Sequence, residues 1–152
     1  MVIELATYHE HIPVMLNECM EGLITDDNGI YIDATLGGGG HSKEILARLG
    51  GSATLYGIDQ DDEAIAAATT RIGEDERFKT IKGNFGYLST LLPPPVKGQV
   101  AGILLDLGVS THQIKEAERG FSFQEDGPLD MIFQGFLRIR WLTIMTMKHF
   151  AT

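Results

Sequence analysis

The chain of 152 residues is 43% hydrophobic and 22% charged, as in ordinary globular domains, and no uncharged apolar run of about 18 residues predicts a membrane span. Taken alone, its formal net charge of −9 argues against a nucleic-acid partner, because phosphate binding normally requires a basic surface, although the charge is unevenly distributed along the chain. The single cysteine, Cys19, excludes an intramolecular disulfide and, with no signal peptide in the first residues, predicts a cytoplasmic protein.

The hydrophobic pattern alternates between helices and strands along most of the chain. In chain order we predict a helix over 11–24, a strand over 28–35, a helix over 41–50, a strand over 53–59, a helix over 61–72, a strand over 77–85, a short helix over 86–92 and a strand over 100–108. The last strand is continuously apolar, which predicts burial on both faces. Cys19 falls in the first helix, where we expect a structural residue rather than a nucleophile. The alternation with short connections predicts an α/β fold, a parallel sheet with helices on its faces.

Four consecutive glycines follow the first predicted strand, in the stretch DATLGGGGHS over 33–42. Ligands of parallel α/β sheets bind beyond the carboxyl ends of the strands, so this loop lies at the expected binding edge. A phosphate-binding P-loop is excluded, because Gly40 is followed by His41 and Ser42 instead of a lysine. A dinucleotide loop is disfavoured, because Ser42 stands where the third glycine belongs. An NAD-dependent oxidoreductase is kept as a less favoured alternative.

Acidic residues end the first two strands, and the one that precedes the glycines favours a cofactor without phosphates. Asp59 lies 20 residues after Gly39, a spacing that lets a carboxylate accept hydrogen bonds from ribose hydroxyls, although Asp61 and its neighbours could simply begin a helix. Asp33 precedes the glycines, and its charge would repel a pyrophosphate but not a sulfonium or an ammonium group. We therefore predict S-adenosylmethionine, with His41 lining its pocket. No cluster has metal-ligand spacing, so we expect no metal.

Two further stretches bear on the methyl acceptor. Asp106 ends the fourth strand and could orient the cofactor or the acceptor, or be an ordinary strand-end acid. Many amino-methylating enzymes carry Asn/Asp-Pro-Pro-aromatic there, whereas this chain has Asp-Leu-Gly-Val, so spacing alone leaves the acceptor open. In RGFSF, Arg119, Phe121 and Phe123 could stack on an unstacked base, although two core phenylalanines beside a surface arginine would give the same pattern.

The stretches HIPVMLNE, YIDATLGGGGHS, GIDQDDEAI, GNF, GILLDLGVSTHQ and ERGFSFQEDGPLDM resemble the RsmH/MraW family in order and spacing, from about His11 to Met131. The resemblance implies a Rossmann-like class I S-adenosylmethionine-dependent methyltransferase fold. It also implies methylation of the N4 amine of a cytidine in the 16S rRNA of the small ribosomal subunit. The cofactor-binding residues that it implies are Gly39, Gly40, His41, Asp59, Phe85, Asp106 and Gln113. Asp106 is also our candidate for orienting the amine.

The end of the sequence departs from the family pattern. All 21 acids lie in residues 1–130, which carry a net charge of −12, whereas the remaining residues carry +3. We predict a partial cofactor-binding methyltransferase domain over 1–131 and an unrecognised apolar and basic tail over 132–152, interpreted as out-of-frame or foreign sequence. The missing later strands predict an incomplete sheet with an exposed edge, self-association and weak or no methylation by this chain alone. A non-catalytic fragment that binds S-adenosylmethionine is the alternative.

Overall fold

The computed structural model describes residues 15–108. The strands form one parallel sheet in the order β3-β2-β1-β4; they are β1 (Ile30–Asp33), β2 (Thr54–Asp59), β3 (Phe78–Lys82) and β4 (Val100–Leu104). The α-helices are α1 (Leu16–Leu23), α2 (Gly40–Arg48), α3 (Asp62–Ile72) and α4 (Leu88–Leu91), and 3₁₀ turns span Phe85–Tyr87 and Pro94–Val96. The predicted α/β fold with a parallel sheet and flanking helices is confirmed, and the described elements fall within or beside the predicted ranges.

Successive residues of the central strands face two different apolar cores, because side chains alternate across a strand. Tyr31 and Leu55 pack in one core, with residues of α1 and α2. Ile32 and Tyr56 pack in the other, against the segment that contains α4 and the second 3₁₀ turn. β1 and β2 are therefore covered on both faces, which holds their carboxyl ends in fixed positions for a site.

Tyr31 fastens the start of the sheet to the turn after α1. Its ring is fully buried, and its hydroxyl accepts hydrogen bonds from the backbone N–H groups of Thr25 (3.1 Å) and Asp26 (3.0 Å). The same hydroxyl donates to the Asp26 carbonyl at 2.9 Å. A tyrosine in the middle of a buried strand therefore satisfies three backbone groups that the turn leaves without ladder partners.

The prediction that the fourth strand is buried on both faces is wrong for the strand as described. Exposure alternates along β4, and Ile103 is 45% exposed. Leu105 and Leu107, which follow the strand, are also exposed. The physical reason is that successive side chains point to opposite faces of the sheet, and the alternating exposure shows that one face of β4, the last strand of the described sheet, is less covered than the other within the described residues. A continuous apolar run predicts a parallel strand, but it does not tell whether the covering strands and helices are there.

Several predictions from the sequence lie outside the described residues. They concern Gln113, the RGFSF stretch with Arg119, Phe121 and Phe123, and the tail over 132–152. Among residues 15–108, no helix has the length and apolar character needed to cross a membrane.

Candidate functional site

The carboxyl edge of the sheet gathers three aspartates and the glycine loop. Asp33 and Asp59 are the last residues of β1 and β2, and Asp106 follows β4 by two residues. The loop between β1 and α2 is fixed between the neighbouring strands, since Ala34 N–H donates to the Leu104 carbonyl (2.9 Å) and Leu36 N–H to the Ile58 carbonyl (3.0 Å). Loop and acids therefore meet at the edge where parallel α/β sheets bind ligands.

The glycine loop is a tight turn that leads directly into α2. Gly37 and Gly39 have φ values of 50° and 76°, in the left-handed region that glycine adopts without steric cost. Gly39 also packs against α3, because a Cβ built on it would lie 2.9 Å from the Cβ of Ala68. A neighbouring helix therefore approaches this position closely enough to require glycine.

Asp59 connects the glycine loop to the start of α3. Its Oδ2 accepts a hydrogen bond from Gly37 N–H at 2.9 Å, and its Oδ1 accepts one from Asp61 N–H at 3.0 Å. Asp61 in turn caps α3 by accepting from the backbone N–H of Glu63, as the helix-start interpretation of these acids predicts. Burial raises the pKa of Asp59, and the backbone hydrogen bonds oppose that rise. One carboxylate oxygen thus holds the glycine loop and the other the start of α3, and a carboxylate with about four acceptor positions can accept a further donor.

Asp33 does not face the binding edge in the way the sequence argument required. Its carboxyl group is 1% exposed, with Oδ2 accepting from the Ser42 hydroxyl (2.7 Å) and Oδ1 from Thr35 N–H (3.2 Å). Burial raises its pKa to about 6, against the lowering effect of those two hydrogen bonds. The expectation that this charge selects a cationic cofactor by direct proximity is therefore corrected: Asp33 holds the loop and α2 together from inside.

Asp106 and His41 approach each other across the loop. His41 Nδ1 lies 3.9 Å from Asp106 Oδ2, and their side chains are 9% and 38% exposed. The backbone N–H of Asp106 donates to the Thr35 hydroxyl at 2.8 Å. The Asp106 carboxylate is therefore available at the surface of the site while its backbone is fixed to the loop.

Phe85 belongs to a neighbouring part of the same edge. It begins the 3₁₀ turn after β3 and packs, partly buried, against the core that contains Ile58. The preceding residue, Asn84, accepts from Gly86 N–H (2.7 Å) and donates from Nδ2 to Gln60 Oε1 at 3.3 Å. This contact joins the Phe85 turn to the residue directly after Asp59. Of the predicted site residues within the described range, Gly39, Gly40, His41, Asp59, Phe85 and Asp106 all lie along this edge.

Two residues that sequence reasoning did not select, Thr35 and Ser42, hold the site together. Both carry hydroxyls that flank the glycine run, and both contact Asp33. The sequence feature that could have identified Thr35 is its place two residues after Asp33, since an aspartate often accepts a hydrogen bond from the backbone two residues later. Among residues 15–108, no group of three or more His, Cys, Asp and Glu side chains could hold a metal ion. Cys19 lies in α1, packs against the first core, and has its pKa raised chiefly by burial.

Comparison with known proteins gives a consistent family. The model of the MraW methylase family matches residues 8–135. The ribosomal RNA small subunit methyltransferase H of Shewanella sediminis is 50% identical over 122 residues, which cover 80% of this chain and 38% of that protein. The enzyme of the same name from Shewanella pealeana is 47% identical over 146 residues, covering 93% of this chain and 46% of that protein.

The chain thus spans less than half the length of these two curated relatives. A crystal structure described as a candidate rRNA-methylase from Clostridium thermocellum is 20% identical, with a TM-score of 0.44. That similarity covers 51% of this chain and 44% of the other.

Proposed function

The chain belongs to the MraW methylase family, and we propose that it forms the S-adenosylmethionine-binding part of a methyltransferase that acts on the N4 amine of a cytidine in 16S rRNA. Its partner is then the small ribosomal subunit and its location the cytoplasm. The observation that carries the proposal is the meeting of the glycine loop, Asp59 and Asp106 at one sheet edge.

The donor and acceptor groups at this edge fit S-adenosylmethionine. The ribose hydroxyls and the ammonium of its amino-acid end are hydrogen-bond donors, and the carboxylates of Asp59 and Asp106 are acceptors. The loop over 34–40 contains no lysine or arginine, which a triphosphate would need. We assign Asp59 to the ribose, and Gly39, Gly40, His41 and Asp106 to the amino-acid end. Phe85 is assigned to the adenine, and Gln113 to the same amino-acid end.

The bound cofactor supplies an electrophilic methyl group on a sulfonium. The chain's own residues supply position and charge. The lone pair of a cytidine N4 amine is delocalised into the base, so it attacks only when the amine is turned correctly. We assign Asp106 to accept a hydrogen bond from that amine and hold it in line with the methyl group. Most of the acceleration then comes from near-attack geometry rather than from covalent chemistry.

Calorimetric titration of the chain with S-adenosylmethionine tests the binding part of the proposal. We expect Asp59→Ala to weaken binding at least tenfold, since a hydrogen bond to a charged group contributes roughly 1.5–3 kcal/mol. Asp75→Ala is the matched control, because Asp75 precedes β3 and lies at the opposite edge of the sheet. Equal affinity of both variants would overturn the assignment. Binding of NAD in place of S-adenosylhomocysteine would support the oxidoreductase alternative.

A tritium-transfer assay with purified small subunits separates an enzyme from a binding fragment. The chain spans 38% and 46% of its two curated relatives, and the second candidate is a fragment that binds the cofactor without transferring its methyl group. We expect cofactor binding with little or no transfer. Efficient transfer by the 152-residue chain to the purified small subunits, or to naked 16S rRNA in the same assay, would refute that expectation.

The domain boundary at residue 131 and the foreign tail over 132–152 stay predictions. Reading the coding DNA in the other two frames beyond codon 131 tests them. We expect the family pattern to resume in one of those frames, and its absence from both would contradict the out-of-frame interpretation.

A further inference from the structure

The two halves of the proposed site come from distant parts of the chain and meet through one side chain. The last main-chain bond between β1 and β4 runs from Ala34 N–H to the Leu104 carbonyl, at 2.9 Å. In a regular parallel ladder the next donor would be Asp106 N–H, and its acceptor the Ala34 carbonyl. Here Asp106 N–H donates instead to the Thr35 hydroxyl, at 2.8 Å. The Thr35 side chain thus continues the ladder where the two backbones separate.

Thr35 is itself held by a buried pair of side chains. Its N–H donates to Asp33 Oδ1 at 3.2 Å, and Asp33 Oδ2 accepts from the Ser42 hydroxyl at 2.7 Å. Asp33 and Ser42 are 1% and 0% exposed. Hydrogen bonds therefore run without interruption from the first turn of α2, through Asp33 and Thr35, to the backbone of Asp106.

This arrangement fixes the backbone of Asp106 while its side chain stays accessible. The carboxylate is 38% exposed and approaches His41 Nδ1 to 3.9 Å. We propose that Thr35 is a positioning residue for methyl transfer, whose hydroxyl holds Asp106 so that its carboxylate faces the amino-acid end of the cofactor and the reacting amine. The inference rests on the proposed function for the role of Asp106, but the contact itself can be tested without a ligand.

Binding of two ligands to Thr35→Val and Thr35→Ser tests the proposal. Valine keeps the shape of threonine and removes the acceptor, whereas serine keeps the hydroxyl. We expect Thr35→Val to weaken S-adenosylmethionine binding about tenfold, which corresponds to about 1.4 kcal/mol, because Asp106 N–H loses its acceptor and the carboxylate is no longer held in place. Binding of 5′-methylthioadenosine, which lacks the amino-acid end, should be unchanged. Thr35→Ser should bind both ligands as the parent chain does.

A double-mutant cycle distinguishes positioning from a general loss of structure. In an Asp106→Ala background, Thr35→Val should cause no further loss of S-adenosylmethionine affinity. Thr70→Val is the matched control, because the Thr70 hydroxyl donates to the Ala66 carbonyl on the exposed face of α3. This substitution should leave both affinities unchanged. Equal weakening of the two ligands by Thr35→Val, or a full additional loss in the Asp106→Ala background, would overturn the proposal.

Hydrogen exchange of the Asp106 amide, followed by NMR on the chain without ligand, provides the second measurement. We expect exchange to accelerate in Thr35→Val and to keep its parent rate in Thr35→Ser. An unchanged rate in Thr35→Val would overturn the positioning contact whatever the binding data show. If the parent chain binds no S-adenosylmethionine while the exchange result is as expected, the proposed function fails and the contact stands.

Discussion

The buried carboxyl group of Asp33 gives the sharpest test of this structure. Burial raises its pKa from 3.8 to about 6. Between these two values the folded state holds a proton that the unfolded chain has released, so the free energy of unfolding decreases as pH rises through the window from about 4 to 6. Above this window, the difference between the two pKa values means that the charged carboxylate lowers the free energy of unfolding by about 3 kcal/mol relative to a carboxylate with the ordinary pKa.

Asp33→Asn removes this cost and can keep both hydrogen bonds. The amide oxygen can accept from Thr35 N–H, and the amide nitrogen can donate to the Ser42 hydroxyl, which rotates to receive it. We expect the variant to be more stable than the parent chain by up to about 3 kcal/mol at neutral pH. That advantage should shrink as pH falls below about 6 and should disappear near pH 4.

Urea unfolding followed by far-UV circular dichroism, repeated across this pH range, measures the difference. Asp75→Asn is a control of opposite sign, because its hydrogen bond from Arg77 lowers the pKa of Asp75. The stabilisation by Asp75 is present above its ordinary pKa and is lost in acid, so its substitution should destabilise the fold at neutral pH, by no more than about 1 kcal/mol for a partly exposed pair. A pH-independent gain from Asp33→Asn, or a loss at pH 8, would refute the reasoning.

Three other substitutions follow from the described contacts. Gly39→Ala should lower the free energy of unfolding by about 2 kcal/mol or more, because it combines a φ of 76° with a clash against Ala68. Gly98→Ala, at φ 81° in open space, should lower that free energy by less in the same urea assay. Equal decreases for the two variants would exclude the clash. Tyr31→Phe should cost about 1–3 kcal/mol in urea unfolding, because buried backbone groups lose their partner, and a neutral result would show that water replaces the hydroxyl. Ile103→Lys should reduce self-association in sedimentation velocity by charging the edge strand, and an unchanged molecular mass would contradict an interface there.

Periodicity and turn residues were sufficient to predict the elements of residues 15–108. β1 and β2 are short, apolar and followed by glycine or acidic helix starts, and these local features are visible in one sequence. The exposure of Ile103 could not be predicted in this way, because it depends on what packs over that face of β4. The pattern of one strand carries no information about its neighbours in space.

The positions of the candidate site residues along the sheet edge were predicted better than their contacts. Asp59 and Asp106 lie at the expected edge because parallel strands bring their carboxyl ends together. Asp33 was misinterpreted, because the fold buries its carboxyl group and pairs it with the Ser42 hydroxyl of α2, which the pattern of the strand does not indicate. Gly39 was predicted to contact the cofactor, and the structure shows in addition that Ala68 on α3 leaves no room for a side chain at this position. Such causes lie in tertiary packing and leave no local signature.

The order of strands in the sheet also sets an order of assembly. β1, β2 and β3 follow one another along the chain and pair as neighbours. After β3 the chain must cross back over β2 and β1 to place β4 on the other side of β1. The longer closure costs about 1 kcal/mol more in chain entropy, and β4 is also the last of the four strands to be synthesised. We therefore expect a nascent chain to form the glycine loop and its Asp59 support first. The proposed site is completed only when Asp106 reaches the Thr35 hydroxyl, so under the proposed function the binding of the whole cofactor would report that the last strand has docked.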